Sequence, residues 1–223
     1  LAPQAELRFR LYPRSDTLKS DGVKLHLKSD SVQRDIELGS DWIFDIPNDA
    51  TADKERGALI TNRPDKSFAW RPYIRTPGLA PNVRRLGDLR LECKVDIAAG
   101  LAVIPPLPAN LALLASGADV CMMSIVHWDF FSDRPIFGIT LVNKEKRLPL
   151  QTAMWLYANR VPLVGRPMVD FMLLDDQVYE LPLADTKWPD DTLVEFDYMD
   201  DPPPSPPSAS QHANVTTEVS TTN

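Results

Sequence analysis

The chain has 223 residues, a hydrophobic fraction of 43% and a formal net charge of -7 from 31 acidic and 24 basic side chains. That length and composition support a buried core and exclude wholesale disorder. They also exclude a long nucleic-acid groove, because phosphate neutralisation needs clustered cations, which neither Arg84-Arg85 nor the turn-like run Lys144-Glu145-Lys146-Arg147 supplies.

The chain opens Leu1-Ala2-Pro3 without a basic region and apolar run, and reads as a trimmed or processed form. Leu7-Arg8-Phe9-Arg10-Leu11 alternates apolar and basic side chains, and Val23-Lys24-Leu25-His26-Leu27-Lys28 does the same. Period two is the signature of a strand with one buried face. Residues 34–38 and Trp42-Ile43-Phe44-Asp45-Ile46 predict two further strands, and Pro47-Asn48-Asp49 stops the second. Residues 50–58 read as a short helix or polar loop. Residues 68–81 carry Pro72, Pro77 and Pro81, which predict an edge strand followed by a long structured loop.

Leu89-Arg90-Leu91-Glu92-Cys93-Lys94-Val95-Asp96 is the cleanest alternation, predicting a strand with Leu89, Leu91, Cys93 and Val95 inward and the charged set in water. Residues 97–115 carry no formal charge, but Pro105, Pro106 and Pro108 would break the backbone hydrogen bonding of a membrane span. They read instead as a buried crossing, or as a short helix near 109–115 after a proline-built turn. Residues 121–126 are expected to form a central strand, and 137–142 another. Residues 151–158, with Met154, Trp155 and Tyr157, suit a doubly buried strand better than a helix face. Three more strands are predicted at 168–174, 177–183 and 192–198. The paired runs near 34–45 and 178–196 echo one another as similar hairpins, not as a repeat.

From Asp201 the sequence becomes DPPPSPPSASQHANVTTEVSTTN, with almost nothing large and apolar to offset ordering, so a disordered tail is expected. Asn214-Val215-Thr216 within it matches the glycosylation sequon, as any chain can by chance. Cys93 and Cys121 lack CxxC spacing and read as two buried thiols, a disulfide requiring that the fold bring their backbones together.

No motif fixes a reaction. Ser124, His127 and Asp129 hold the residue types of a nucleophile, base and carboxylate, but strand alternation puts His127 and Asp129 on one face and Ser124 on the other. His127 and Asp129 are the catalytic candidates, against the plainer reading of a strand end with local polar bonds. His26 and His127 with Asp45, Asp129 or Asp133 lack metal-ligand spacing, so no metal and no cofactor is expected. Aromatics make the better argument. Trp70 and Tyr73 in the proline-rich loop, with Trp128 near a strand end, could gather into a ligand-binding surface, although such rings also anchor loops.

The expected fold is mainly β: an antiparallel sandwich-like architecture, or two small β units packed together with a short helical insertion. The expected division is an amino-terminal β unit over 1–96, a crossing over 97–118, a carboxy-terminal β unit over 119–200 and the tail over 201–223. The expected function is a noncatalytic binding or structural module, secreted or periplasmic, that recognises a carbohydrate or protein surface. The alternative is a hydrolase whose acid-base residues assemble at strand ends. No nucleic-acid partner and no transmembrane segment are expected, and the sequence sets no oligomeric state.

Overall fold

The computed structural model describes residues 1–101 except 16, 20 and 66, together with 117–124, 128–152 and 176–201. The expected tail, the sequon, most of the 97–118 crossing, His127 and the strands at 151–158 and 168–174 fall outside or almost wholly outside those residues. What is described is mainly β and antiparallel. β1 (Glu6–Pro13) runs between β4 (Ile43–Phe44) and β6 (Phe68–Arg75). β2 (Leu25–Lys28) runs between β3 (Gln33–Ile36) and β5 (Ala58–Thr61). A four-stranded sheet orders β10 (Lys146–Pro149), β9 (Ile136–Asn143), β12 (Leu193–Tyr198) and β7 (Val83–Arg85). β8 (Asp129–Phe131) pairs with β11 (Val178–Glu180). Among the described residues no helix is long and apolar enough to cross a membrane.

Alternation in β1 sends Phe9 and Leu11 into one core, where they meet Leu25, Leu27, Ile36 and Phe44. A short helix, α1 (Ala50–Lys54), adds Ala52 to it. Asp49 starts that helix by accepting the Thr51 and Ala52 amides at 3.1 and 3.0 Å, satisfying donors that the first turn leaves open. A second core gathers Leu141, Val194 and Phe196 from the four-stranded sheet with Phe130 and Tyr179 from the β8–β11 pair.

The expected strand at 89–95 is instead a helix, α2 (Leu86–Ala98). Its sequence carries two periods at once. Leu86, Leu89, Cys93 and Ile97 recur at three- and four-residue steps, and the helix turns all four into the second core. The charged set is not in water: Asp88, Arg90, Glu92 and Asp96 are buried, while Leu91 and Val95 are only partly so. Val95 packs against the first core, so α2 joins the two. Leu86 and Gly87 donate their amides to the Thr192 and Asp190 carbonyls, both at 2.9 Å, in place of a side-chain cap.

Two further expectations are corrected. Cys93 and Cys121 form a disulfide, with Cα atoms 6.0 Å apart, because α2 delivers Cys93 beside the turn at Val120–Met122. That 3-10 turn also replaces the start of the strand expected at 121–126. Chain on both sides of residue 97 shares the four-stranded sheet and the second core, since β7 pairs with β12 and α2 packs beneath them.

The acidic stripe of α2 has a specific task. Among the described residues β6 is an edge strand, and Ile74 and Thr76 point their amides away from β1. Glu92 accepts the Ile74 amide and Asp88 the Thr76 amide, each at 2.8 Å. One helical turn advances about 6 Å over four residues, close to the roughly 6.7 Å of two strand residues, so carboxylates spaced by four can serve alternate amides. Pro72 sits at the preceding position of the same parity, where its missing N–H costs no bond to β1.

Candidate binding site

The three nominated aromatics are not gathered on one surface. Trp70 and Tyr73 lie within β6 rather than in the loop after it, and because they are three residues apart they face opposite sides of the strand. Tyr73 lies on the arginine face of the β1–β6 sheet. The Arg75 guanidinium lies 4.7 Å from its ring centre and that of Arg10 5.8 Å away. Arg10 and Arg75 both bind Asp133, the second at 3.0 Å. Nearby, Arg71 binds Asp96 at 3.0 Å and lies 5.5 Å from the Phe131 ring, which packs on Tyr12 at 5.0 Å. Tyr73 is therefore a member of a partly buried ionic and aromatic layer.

Trp128 belongs to the same layer. Its ring is partly buried against the second core, and its Nε1 donates to Asp96 Oδ2 at 3.3 Å. Asp96 is 3% exposed, and its other oxygen has no hydrogen-bond partner among the described residues. Burial pushes its carboxyl up to about 6 against the opposing pull of Arg71. Burial likewise pushes the Tyr12 phenol up to about 12.

Asp129 lies on β8, and the register sets it opposite Glu180 of β11, which is buried. This cross-strand carboxylate pair was invisible in the sequence, because register is a tertiary fact and Glu180 reads there as one polar residue in an alternating run. Ser124 is exposed, and His127 falls outside the described residues. Of the other residues weighed for a metal, His26 pairs with Asp35 across β2 and β3 at 2.7 Å, and Asp45 with Arg8 at 3.4 Å. Among the described residues no group of three or more histidine, cysteine or acidic side chains converges on one point.

Trp70 lines a cavity among the described residues. Its ring packs edge-on against Phe9 at 5.4 Å, fixing its orientation, and it forms one wall of a groove of about 270 Å³. Phe68, two residues earlier on the same face, extends that wall. Leu59, Ile60 and Thr61 of β5 form the opposite side. The rim is polar, with Arg63, Asp65 and Ser67. Arg63 donates to the Asp21 carbonyl at 2.9 Å and has no carboxylate partner among the described residues. A second concavity of about 340 Å³ lies beside α1, between Pro47 and Gly57, and contains none of the nominated residues. Comparisons with protein-family models, curated proteins and solved structures found no match to this chain.

Proposed function

We propose that the protein is a noncatalytic binding module, with a sandwich-like β scaffold presenting the Trp70 groove to a carbohydrate or protein surface. One observation carries this reading: an oriented indole and a phenyl ring line an open groove with charged and hydroxyl groups at its rim. Broad apolar faces supply contact area, and a few polar groups set orientation and specificity. Tyr73 and Trp128 do not line this groove; the Tyr73 ring lies against Arg75, and Trp128 donates to Asp96. The Cys93–Cys121 disulfide supports a secreted or periplasmic setting, since such bonds persist in oxidising compartments.

The test screens the full chain and its Trp70→Ala variant against glycan and protein arrays, after their thermal unfolding has been compared. Binding by the wild type that the folded variant loses is the expected result. Unchanged binding by folded Trp70→Ala would remove the groove from the function.

The hydrolase reading keeps one observation in its favour, the Asp129–Glu180 pair beside the Trp128–Asp96 contact. Two carboxylates in dissimilar surroundings are the elements of acid-base chemistry. Turnover of a glycoside or ester that disappears in Asp129→Asn would move the function to that site.

A further inference from the structure

The groove beside Trp70 differs from an ordinary surface hollow in how β5 contributes to it. Three successive residues of that strand, Leu59, Ile60 and Thr61, line it. Successive strand side chains point to opposite faces, so a hollow lined by three in a row runs along the strand's edge and borders its main chain. Among the described residues β5 is the last strand of its sheet, paired only with β2. The Asn62 amide bonds the Lys24 carbonyl at 3.2 Å, and the antiparallel alternation continuing from that bond directs the main-chain groups of Ala58 and Ile60 toward β2. Those of Leu59 and Thr61 point outward along the groove, and among the described residues neither amide is bonded to another strand. Ile60 is 42% exposed beside them.

We propose, resting on the binding reading above, that this edge takes an extended peptide of a partner protein as an added strand. Leu59 and Thr61 of β5 offer outward hydrogen bonds at the two-residue spacing of a strand. Phe68 and Trp70, on one face of β6, offer an apolar seat for a side chain of that peptide. Arg63 at the rim, a cation without a carboxylate partner among the described residues, selects an acidic residue at the corresponding position. Main-chain pairing supplies the affinity and the two side-chain contacts the specificity.

The experiment selects nonapeptides from a phage-displayed random library on the full chain, then measures synthetic copies of the selected sequence by calorimetry. Two copies carry N-methyl groups at alternate residues, one set in each parity. N-methylation removes amide donors from the peptide and requires no change to the protein. The proposal expects one parity to lose binding at least tenfold while the other changes little, and expects Arg63→Glu to weaken peptides bearing the acidic residue. Equal binding by both methylated copies would show side-chain docking without strand addition and overturn the proposal. So would concentration-dependent protection of the Leu59 and Thr61 amides without peptide, which would make the occupant a second copy of this chain. Glycans that bind and are lost in Trp70→Ala, with no peptide selected, would overturn the proposal and leave the binding reading standing. Silence from glycans, proteins and peptides alike would remove both.

Discussion

Glu92 Oε1 accepts from Arg84 Nη2 at 2.5 Å, and the same oxygen accepts the Ile74 amide. Arg84 in turn donates to the Ile74 carbonyl at 2.8 Å, so one buried ion pair closes both polar groups of a residue at the edge of β6. Burial disfavours the Arg84 cation, but Glu92 and Tyr179 outweigh that and hold its pKa above the ordinary value. This pair binds α2 and β7 to the first sheet, so its loss should separate elements and not merely expose charge.

Glu92→Ala should therefore cost about 3–5 kcal/mol, because it strands a buried guanidinium and an edge amide together. Replacing both Arg84 and Glu92 by methionine should recover part of that loss, since no charge is then left unpaired. Urea unfolding of Arg84→Met, Glu92→Met and the double variant measures the coupling. A loss below about 1 kcal/mol in Glu92→Ala would place the pair in water.

The helical assignment of 86–98 inverts the expected facing of two neighbours. Arg90 is buried and donates to the Leu183 and Trp188 carbonyls at 2.8–2.9 Å and to Asp190 at 2.6 Å, whereas Leu91 is half-buried. Arg90→Glu should lose several kcal/mol, as it sets a carboxylate against carbonyls and an aspartate. Leu91→Asp should lose less. A strand would give the opposite order, so chemical denaturation of the two variants decides between helix and strand.

Asp96 predicts a pH dependence of known sign. Its carboxyl sits at about 6 in the folded chain against an ordinary 3.8. The folded state therefore holds this proton more tightly than the unfolded state. Its contribution to stability is complete below the unfolded value and is lost as pH rises through about 6. Other carboxylates add their own slopes, so the measurable quantity is the difference between wild type and Asp96→Asn. Wild-type stability relative to the variant should fall between pH 4 and pH 7, by about 3 kcal/mol for a shift of this size. A flat difference across that range would mean that Asp96 is solvated or fully balanced by Arg71.

The disulfide joins residues 28 apart in sequence, both buried. Closing a loop of that length in the unfolded chain is worth about 3–4 kcal/mol in the chain-entropy model. The double variant Cys93→Ala, Cys121→Ala should unfold at correspondingly lower urea. Reductant should lower wild-type stability and leave that variant unchanged. Equal stability of the two proteins under oxidising conditions would show that packing of α2 alone holds Cys93 in place.

Local pattern determined much of this protein. The alternation in 7–11 and 23–28, the turn chemistry between them and the proline at 72 together set β1, β2 and an edge strand, because period two and a missing donor act through nearest neighbours in the chain. Tertiary structure decided what local pattern left ambiguous. Residues 89–95 satisfy a strand period and a helix period together, and the choice fell to the helix because only that form places Leu89 and Cys93 in the second core while its acids close the β6 edge. The same holds for the sites. The sequence marked Trp70, Tyr73 and Trp128 as rings with binding potential, but which of them meets an open groove and which meets an arginine or a buried carboxyl depends on sheet order and register. Those are contacts between residues far apart in the chain, and no local period encodes them.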